Sequence, residues 1–209
     1  MTTPVPVTDG RSARSQRTRE AVVDALLALI REGDPRPTAR QIAERANISL
    51  RSVYVHFDDL EDLFLAVAQR QMGVVRTMIA PIPPDAPLAE RIGAMCALRA
   101  RIYEDVGPVR RAAALQVPSS PTLSRLLNRV RDESRKGIAE LFATELDALP
   151  TRERRTRLAA LDAVLSPESW DLWRSPTYEL SFTDAQRVMA DATRIVLSTP
   201  AGADAERTS

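Results

Sequence analysis

Residues 38–57 read Thr38-Ala39-Arg40-Gln41-Ile42-Ala43-Glu44-Arg45-Ala46-Asn47-Ile48-Ser49-Leu50-Arg51-Ser52-Val53-Tyr54-Val55-His56-Phe57. Thr38 stands three residues before Gln41, the spacing of a capping box, in which two side chains satisfy the bare amides of a helix start. Ile42, Ala43 and Ala46 give the short helix that follows its apolar face. Asn47 ends it, since asparagine tolerates a left-handed backbone better than other residues with a side chain. Ser49 then caps a further helix through about Val55. Two short helices joined this way, packed through Ile42, Ala43, Ile48 and Val53, must cross closely, and the small alanines allow it. The outer face of the second helix is left free, as in a helix-turn-helix.

Apolar residues recur at helical spacing outward from this stretch in both directions, and alternating strand-like runs are hard to find, so the chain reads as all-α. Upstream, a helix is expected from about Arg17 to Glu32, carrying Val22, Leu26, Leu29 and Ile30 on one face and Gly33 as its left-handed terminator. Residues 1–15 are short of apolar side chains and lead into Arg11, Arg14, Arg17 and Arg19, which predicts a flexible basic arm. Downstream, Asp59 suits the N-cap of a longer helix near 59–80 that turns Leu60, Leu63, Phe64 and Val67 inward. Pro81, Pro83, Pro84 and Pro87 close it. Further helices are expected near 87–105, 108–115, 121–148, 151–165, 168–174 and 183–198, with prolines at the seams. The domains expected are an arm at 1–15, a three-helix helix-turn-helix domain at 16–62, a helical bundle at 63–198 and a frayed tail at 199–209.

The chain of 209 residues carries 29 basic and 28 acidic side chains, so any nucleic-acid surface must come from local clustering. One cysteine, Cys96, excludes an internal disulfide framework and a thiolate metal cluster. One histidine, His56, leaves little for zinc or acid-base chemistry. No catalytic residue, metal site or cofactor is expected, because no glycine-rich phosphate loop and no Gly-x-Ser-x-Gly elbow occur. The longest apolar run, Ala25 to Ile30, is too short to span a bilayer, and a reducing cytoplasm suits the cysteine content.

The stretch from Thr18 to Leu63 resembles the TetR-family DNA-binding domain. The matching elements are Ile42-Ala43, Ala46-Asn47-Ile48-Ser49, Val53-Tyr54-Val55-His56-Phe57 and Glu61-Asp62-Leu63, and they cover about a quarter of the chain. The resemblance implies a helix-turn-helix domain on a ligand-binding and dimerising helical bundle. A helix in the major groove reads base edges through its leading residues, which are Ser49, Leu50, Arg51 and Ser52 here, and Arg51 suits the O6/N7 edge of guanine. Thr38 joins a hydroxyl to the amides of a helix start and suits phosphate. By the resemblance, Tyr54 and His56 are phosphate-side contacts, while Phe57 reads as core. Arg14 and Arg17 of the arm would add salt-dependent affinity, or else only a solvated tail. Two departures stand out: Leu60 replaces the family's usual lysine beside Asp58 and Asp59, and Arg51 stands where glycine is frequent.

The same resemblance implies a homodimer built on the last two long helices, with Leu158, Leu161, Leu165, Val188, Ala192 and Ile195 as its interface. A core stripe would show the same spacing. It also implies a small, mostly apolar effector, for which Met72, Val75, Met95, Arg99, Tyr103, Phe142, Trp170 and Trp173 are candidate lining residues, each equally a candidate for ordinary core. The expected function is a repressor released by that effector from a palindromic operator in double-stranded DNA, with no membrane partner. The alternative is a helical interaction or architectural module without operator specificity.

Overall fold

The computed structural model describes residues 10–199, and all the regular structure among them is helical. Ten α-helices follow in order: α1 Gly10–Arg31, α2 Ala39–Arg45, α3 Leu50–His56, α4 Leu60–Met78, α5 Leu88–Ala114, α6 Pro121–Leu141, α7 Ala143–Asp147, α8 Thr151–Val164, α9 Pro167–Trp173 and α10 Phe182–Ser198. No helix among the described residues is long and apolar enough to cross a membrane. Residues 1–9 of the expected arm and 200–209 of the expected tail lie outside the described residues.

Local chemistry sets the helix ends. Gly33 adopts φ 101°, and the amides of Gly33 and Asp34 reach back to the carbonyls of Ile30 and Leu29 at 3.1 Å each, closing α1. Asp59 Oδ1 accepts the Asp62 amide at 2.8 Å and starts α4. Ser120 Oγ accepts the Leu123 amide at 3.0 Å, with Pro121 as the first residue of α6, where a missing N–H costs nothing. Ser166 and Ser181 cap α9 and α10 in the same way.

Three boundaries differ from expectation. Helix α1 begins at Gly10, so residues 10–15, expected in the arm, are helical. Arginine, alanine and glutamine are good helix formers, and the extension is supported by Thr18 Oγ donating to the Arg14 carbonyl and Gln16 to Glu20. The two helices expected near 87–105 and 108–115 are one, α5, with Pro108 inside it. Proline has no N–H for the carbonyl one turn back, and burial of Val109, Ala112 and Ala113 just beyond it offsets that cost of about 3 kcal/mol. The helix expected over 121–148 breaks at Phe142, whose φ of −107° and ψ of 26° are not helical. There the Leu141 carbonyl accepts Arg91 Nη1 at 2.8 Å, and the Phe142 ring is fully buried.

The described chain divides into two compact units. The first runs to Val74 and takes in Pro108–Ser124; the second holds Val75–Gly107 and the residues from Arg125 on. Helices α4, α5 and α6 each begin in one unit and end in the other. In the first unit, α1, α2 and α3 pack on one another around Val22, Leu26, Ile42, Val53, Phe57 and Phe64. Each such side chain contributes roughly 1.5–3 kcal/mol by leaving water. The second unit packs α8 against α7, α9 and α10, around Ile92, Cys96, Phe142, Leu161, Trp170 and Met189.

Candidate nucleic-acid interface

The turn between α2 and α3 is fixed by its own backbone. Asn47 adopts φ 54°, its amide donates to the Glu44 carbonyl at 3.1 Å, and the Ile48 amide donates to the Ala43 carbonyl at 3.0 Å. This pair of bonds closes α2 and turns the chain directly into the next cap. Ser49 Oγ accepts the Ser52 amide at 3.1 Å. On the other side, the capping box at α2 is complete: Thr38 Oγ accepts the Gln41 amide at 3.3 Å, and Gln41 Oε1 accepts the Thr38 amide at 2.8 Å.

Helix α3 is anchored inward by Val53, which is 2% exposed. The other side is bare, with Leu50 at 40%, Tyr54 at 51% and Val55 at 70% exposure, and Ser49 and Arg51 exposed as well. Ser52 and His56 are half-buried. Exposed apolar, polar and basic side chains thus stand together at the leading edge of this short helix. Phe57 is core, as expected, and the Arg19 guanidinium lies 4.7 Å from its ring centre.

Cations of the first unit sort into engaged and free. The Arg45 guanidinium holds Glu32 by two hydrogen bonds, which keeps that carboxyl below its ordinary range and ties α2 to α1. Arg70 pairs with Asp24 at 2.5 Å. Arg14, Arg17, Arg36 and Arg51 are exposed and have no ion pair among the described residues. Arg36 is not among the residues that sequence reasoning singles out. It lines an open groove of about 440 Å³ together with Thr38, Tyr54, Leu60, Leu115 and Gln116. Thr38 and Tyr54 thus share a wall with a free cation. The signal in the sequence is only an arginine between Pro35 and Pro37, and the groove needs Leu115 and Gln116, just past the end of α5, to exist.

The second unit holds most of the remaining candidates. Met95, Arg99 and Tyr103 come together: Arg99 Nε lies 3.1 Å from Met95 Sδ, and Nη1 donates to the Tyr103 hydroxyl at 2.6 Å. Phe142 and Trp170 are core residues, Trp170 meeting Phe182 edge-on and donating Nε1–H to Glu104 at 3.1 Å. Trp173 packs against the same core, and Val75 is half-buried in this unit. Met72 belongs to the first unit. Cys96 is buried, and desolvation pushes its thiol up to about 11. No cluster of three metal-binding side chains occurs among the described residues.

On α10, Ile195 is 68% exposed, Val188 is exposed and Ala192 half-buried, while Leu158 of α8 is half-buried. Leu161 and Leu165 require correction: both are fully buried in the chain's own core and have no surface to offer a partner. Ala159 and Ala163 of α8 are exposed.

A helix whose leading side chains stand free in solvent, set by a left-handed turn on a short buried partner, defines a DNA-binding helix-turn-helix unit. Residues 22–67 match the family model described as bacterial regulatory proteins, tetR family. Three solved structures share its fold. A transcriptional regulator from Rhodococcus sp. Rha1 is 20% identical, with 88% of this chain and 95% of that one covered at a TM-score of 0.59. MexZ, a repressor responsible for antibiotic resistance in Pseudomonas aeruginosa, is 17% identical, with 88% and 97% covered at 0.57. A protein from Mesorhizobium loti described as a TetR-family regulator is 18% identical, with 88% and 96% covered at 0.53. No curated protein matches the sequence.

Proposed function

We propose that the protein is a homodimeric repressor that grips a palindromic operator and lets go when a small, mostly apolar effector binds its second unit. The observation that carries the reading is the bare outer side of α3. Ser49, Leu50, Arg51 and Ser52 enter the major groove, where a bidentate contact from Arg51 to guanine discriminates by about 1–3 kcal/mol. Thr38, Tyr54 and His56 sit on the phosphate side, joined by Arg36 in the shared groove and by Arg14 and Arg17 along α1. Residues 16–62 serve as the DNA-binding part and 63–198 as the sensing and dimerising part.

One helix-turn-helix covers one half-site, so two copies related by a two-fold axis are needed to hold a palindrome about one DNA turn apart. The dimer face is the outer side of α8 and α10, with Leu158, Ala159, Ala163, Val188, Ala192 and Ile195. Small residues there let the helix pairs approach closely. Effector binding acts on helices that both units share, α4 among them, and so changes the spacing of the two reading helices.

Selection of fragments bound from the host genome tests this directly. An inverted repeat whose half-site centres lie about one turn or a multiple apart is the expected result. Equal retention of random fragments at moderate salt would instead favour a module without operator specificity.

A further inference from the structure

Three arginines of the second unit are buried: Arg91, Arg99 and Arg157. Two of them face a carboxylate. Arg91 Nη1 lies 2.9 Å from Glu145 Oε2, and Arg157 Nη2 lies 2.7 Å from Glu153 Oε1. Arg99 is only 9% exposed, yet it has no ion pair among the described residues. Its partners are all neutral: Tyr103 Oη at 2.6 Å and the Leu165 carbonyl at 2.7 Å from Nη1, Ser134 Oγ at 2.9 Å from Nη2, and Met95 Sδ at 3.1 Å from Nε.

Local hydrogen bonding does not explain a full charge at this point. The Leu165 carbonyl also accepts from the Tyr103 hydroxyl at 2.6 Å, so a neutral donor already serves it. Leu165 is the C-cap of α8, and a helix end of that kind supplies only about half an elementary charge. A guanidinium withdrawn from water keeps its charge, so the remainder stays uncompensated. Two donors are also unspent. Nη2 carries two hydrogens and gives one to Ser134; the Ser134 hydroxyl accepts that bond and donates to no acceptor among the described residues. Ser134 and Tyr103 are both half-buried, so this corner is reachable from solvent while Arg99 itself is not.

We propose that Arg99, flanked by the Ser134 and Tyr103 hydroxyls, is the seat of a carboxylate carried by an otherwise apolar small molecule. The spare Nη2–H of Arg99 and the Ser134 hydroxyl then meet the two carboxylate oxygens, which completes the neutralisation that Arg91 and Arg157 obtain within the chain. This rests on the effector reading above and narrows it: the ligand is an organic monoanion rather than a neutral or cationic compound.

Benzoate and octanoate, set against benzamide and octanamide, test the site in the full chain by thermal unfolding. Tryptophan fluorescence is the readout, since Trp170 and Trp173 both lie in the second unit. Each carboxylate is expected to bind at least about tenfold more tightly than its amide, as a charge-assisted hydrogen bond requires. Ser134→Ala should reduce that preference, and Arg99→Met should abolish it. Equal behaviour of acid and amide in the unmodified protein, including no binding by either, overturns the proposal. So does a preference that survives Arg99→Met, or, if that variant fails to fold, one untouched by Ser134→Ala. Duplex-DNA affinity read in the same samples separates the two claims. Anion binding at Arg99 that leaves DNA affinity unchanged keeps the site and removes the effector reading. A neutral molecule that releases DNA equally well from Arg99→Met does the reverse.

Discussion

Val53 and Val55 are the same residue type two positions apart on α3, and they answer opposite demands. Val53 is 2% exposed among Ile42, Phe57 and the α1 side chains, whereas Val55 is 70% exposed. Truncating Val53 to alanine removes two carbons from a packed core at about 0.8 kcal/mol each, and the void left adds to that, for a cost of about 2 kcal/mol. For a chain of this size the melting temperature should fall by about 4–8 °C. Val55→Ala removes the same atoms from water and should stay within about 0.5 kcal/mol. Neither tryptophan lies in the first unit, so the assay must be far-UV circular dichroism or hydrogen exchange at the α3 amides. The DNA affinity of Val53→Ala should also drop, because Val53 alone of the α3 side chains is buried and sets the helix's angle. Equal destabilisation by both substitutions would refute the outward orientation of α3.

Four further outcomes are expected. Arg51→Ala should cost about tenfold or more on the selected operator, relax preference at one base pair per half-site and leave binding to random duplex nearly unchanged, as competition assays would read. Arg36→Ala should weaken all DNA alike and lower the slope of log affinity against log salt by about 0.9 for each phosphate left without its cation; an unchanged slope would take Arg36 out of the interface. Ile195→Lys places a charge on a side chain 68% exposed in the single chain, so it should leave the melt intact while sedimentation shows monomers and operator affinity collapses. Glu145 is held below the ordinary carboxylate range by the Arg91 guanidinium, so it binds fewer protons folded than unfolded. Its contribution is therefore complete above the unfolded pKa and disappears as pH falls through the folded one, from about pH 4 downward. Glu145→Gln should cost about 3 kcal/mol at neutral pH and flatten that acid dependence in denaturant titrations.

Punctuation residues make much of the fold readable. Thr38 with Gln41, Asn47, Ser49, Asp59 and Gly33 act within a few residues of themselves, and each forms the cap or turn its chemistry dictates. The start of α1 escapes because residues 10–16 have no apolar stripe, and periodicity cannot report a helix that buries little. Pro108 escapes because tertiary burial on its far side outweighs a local rule. Leu161 and Leu165 fall on the inner side of α8 rather than the outer: an apolar stripe states that something covers it, not whether the cover is the same chain or another. Arg36 gains meaning only once Leu115 and Gln116, remote in sequence, complete its groove. The name Arg99 is readable, but its lack of a counter-ion depends on three helices meeting and is invisible in one dimension.

If the leading edge of α3 enters a DNA groove, a cleavage reagent tethered at Leu50→Cys will cut there. The native Cys96 is buried with its thiol pushed up to about 11, so labelling falls on the new cysteine. Strand scission confined to two symmetric major-groove positions about one DNA turn or a multiple apart is the predicted result. Scission scattered without position, or strong only when the reagent is moved to Val188→Cys on α10, would contradict the account.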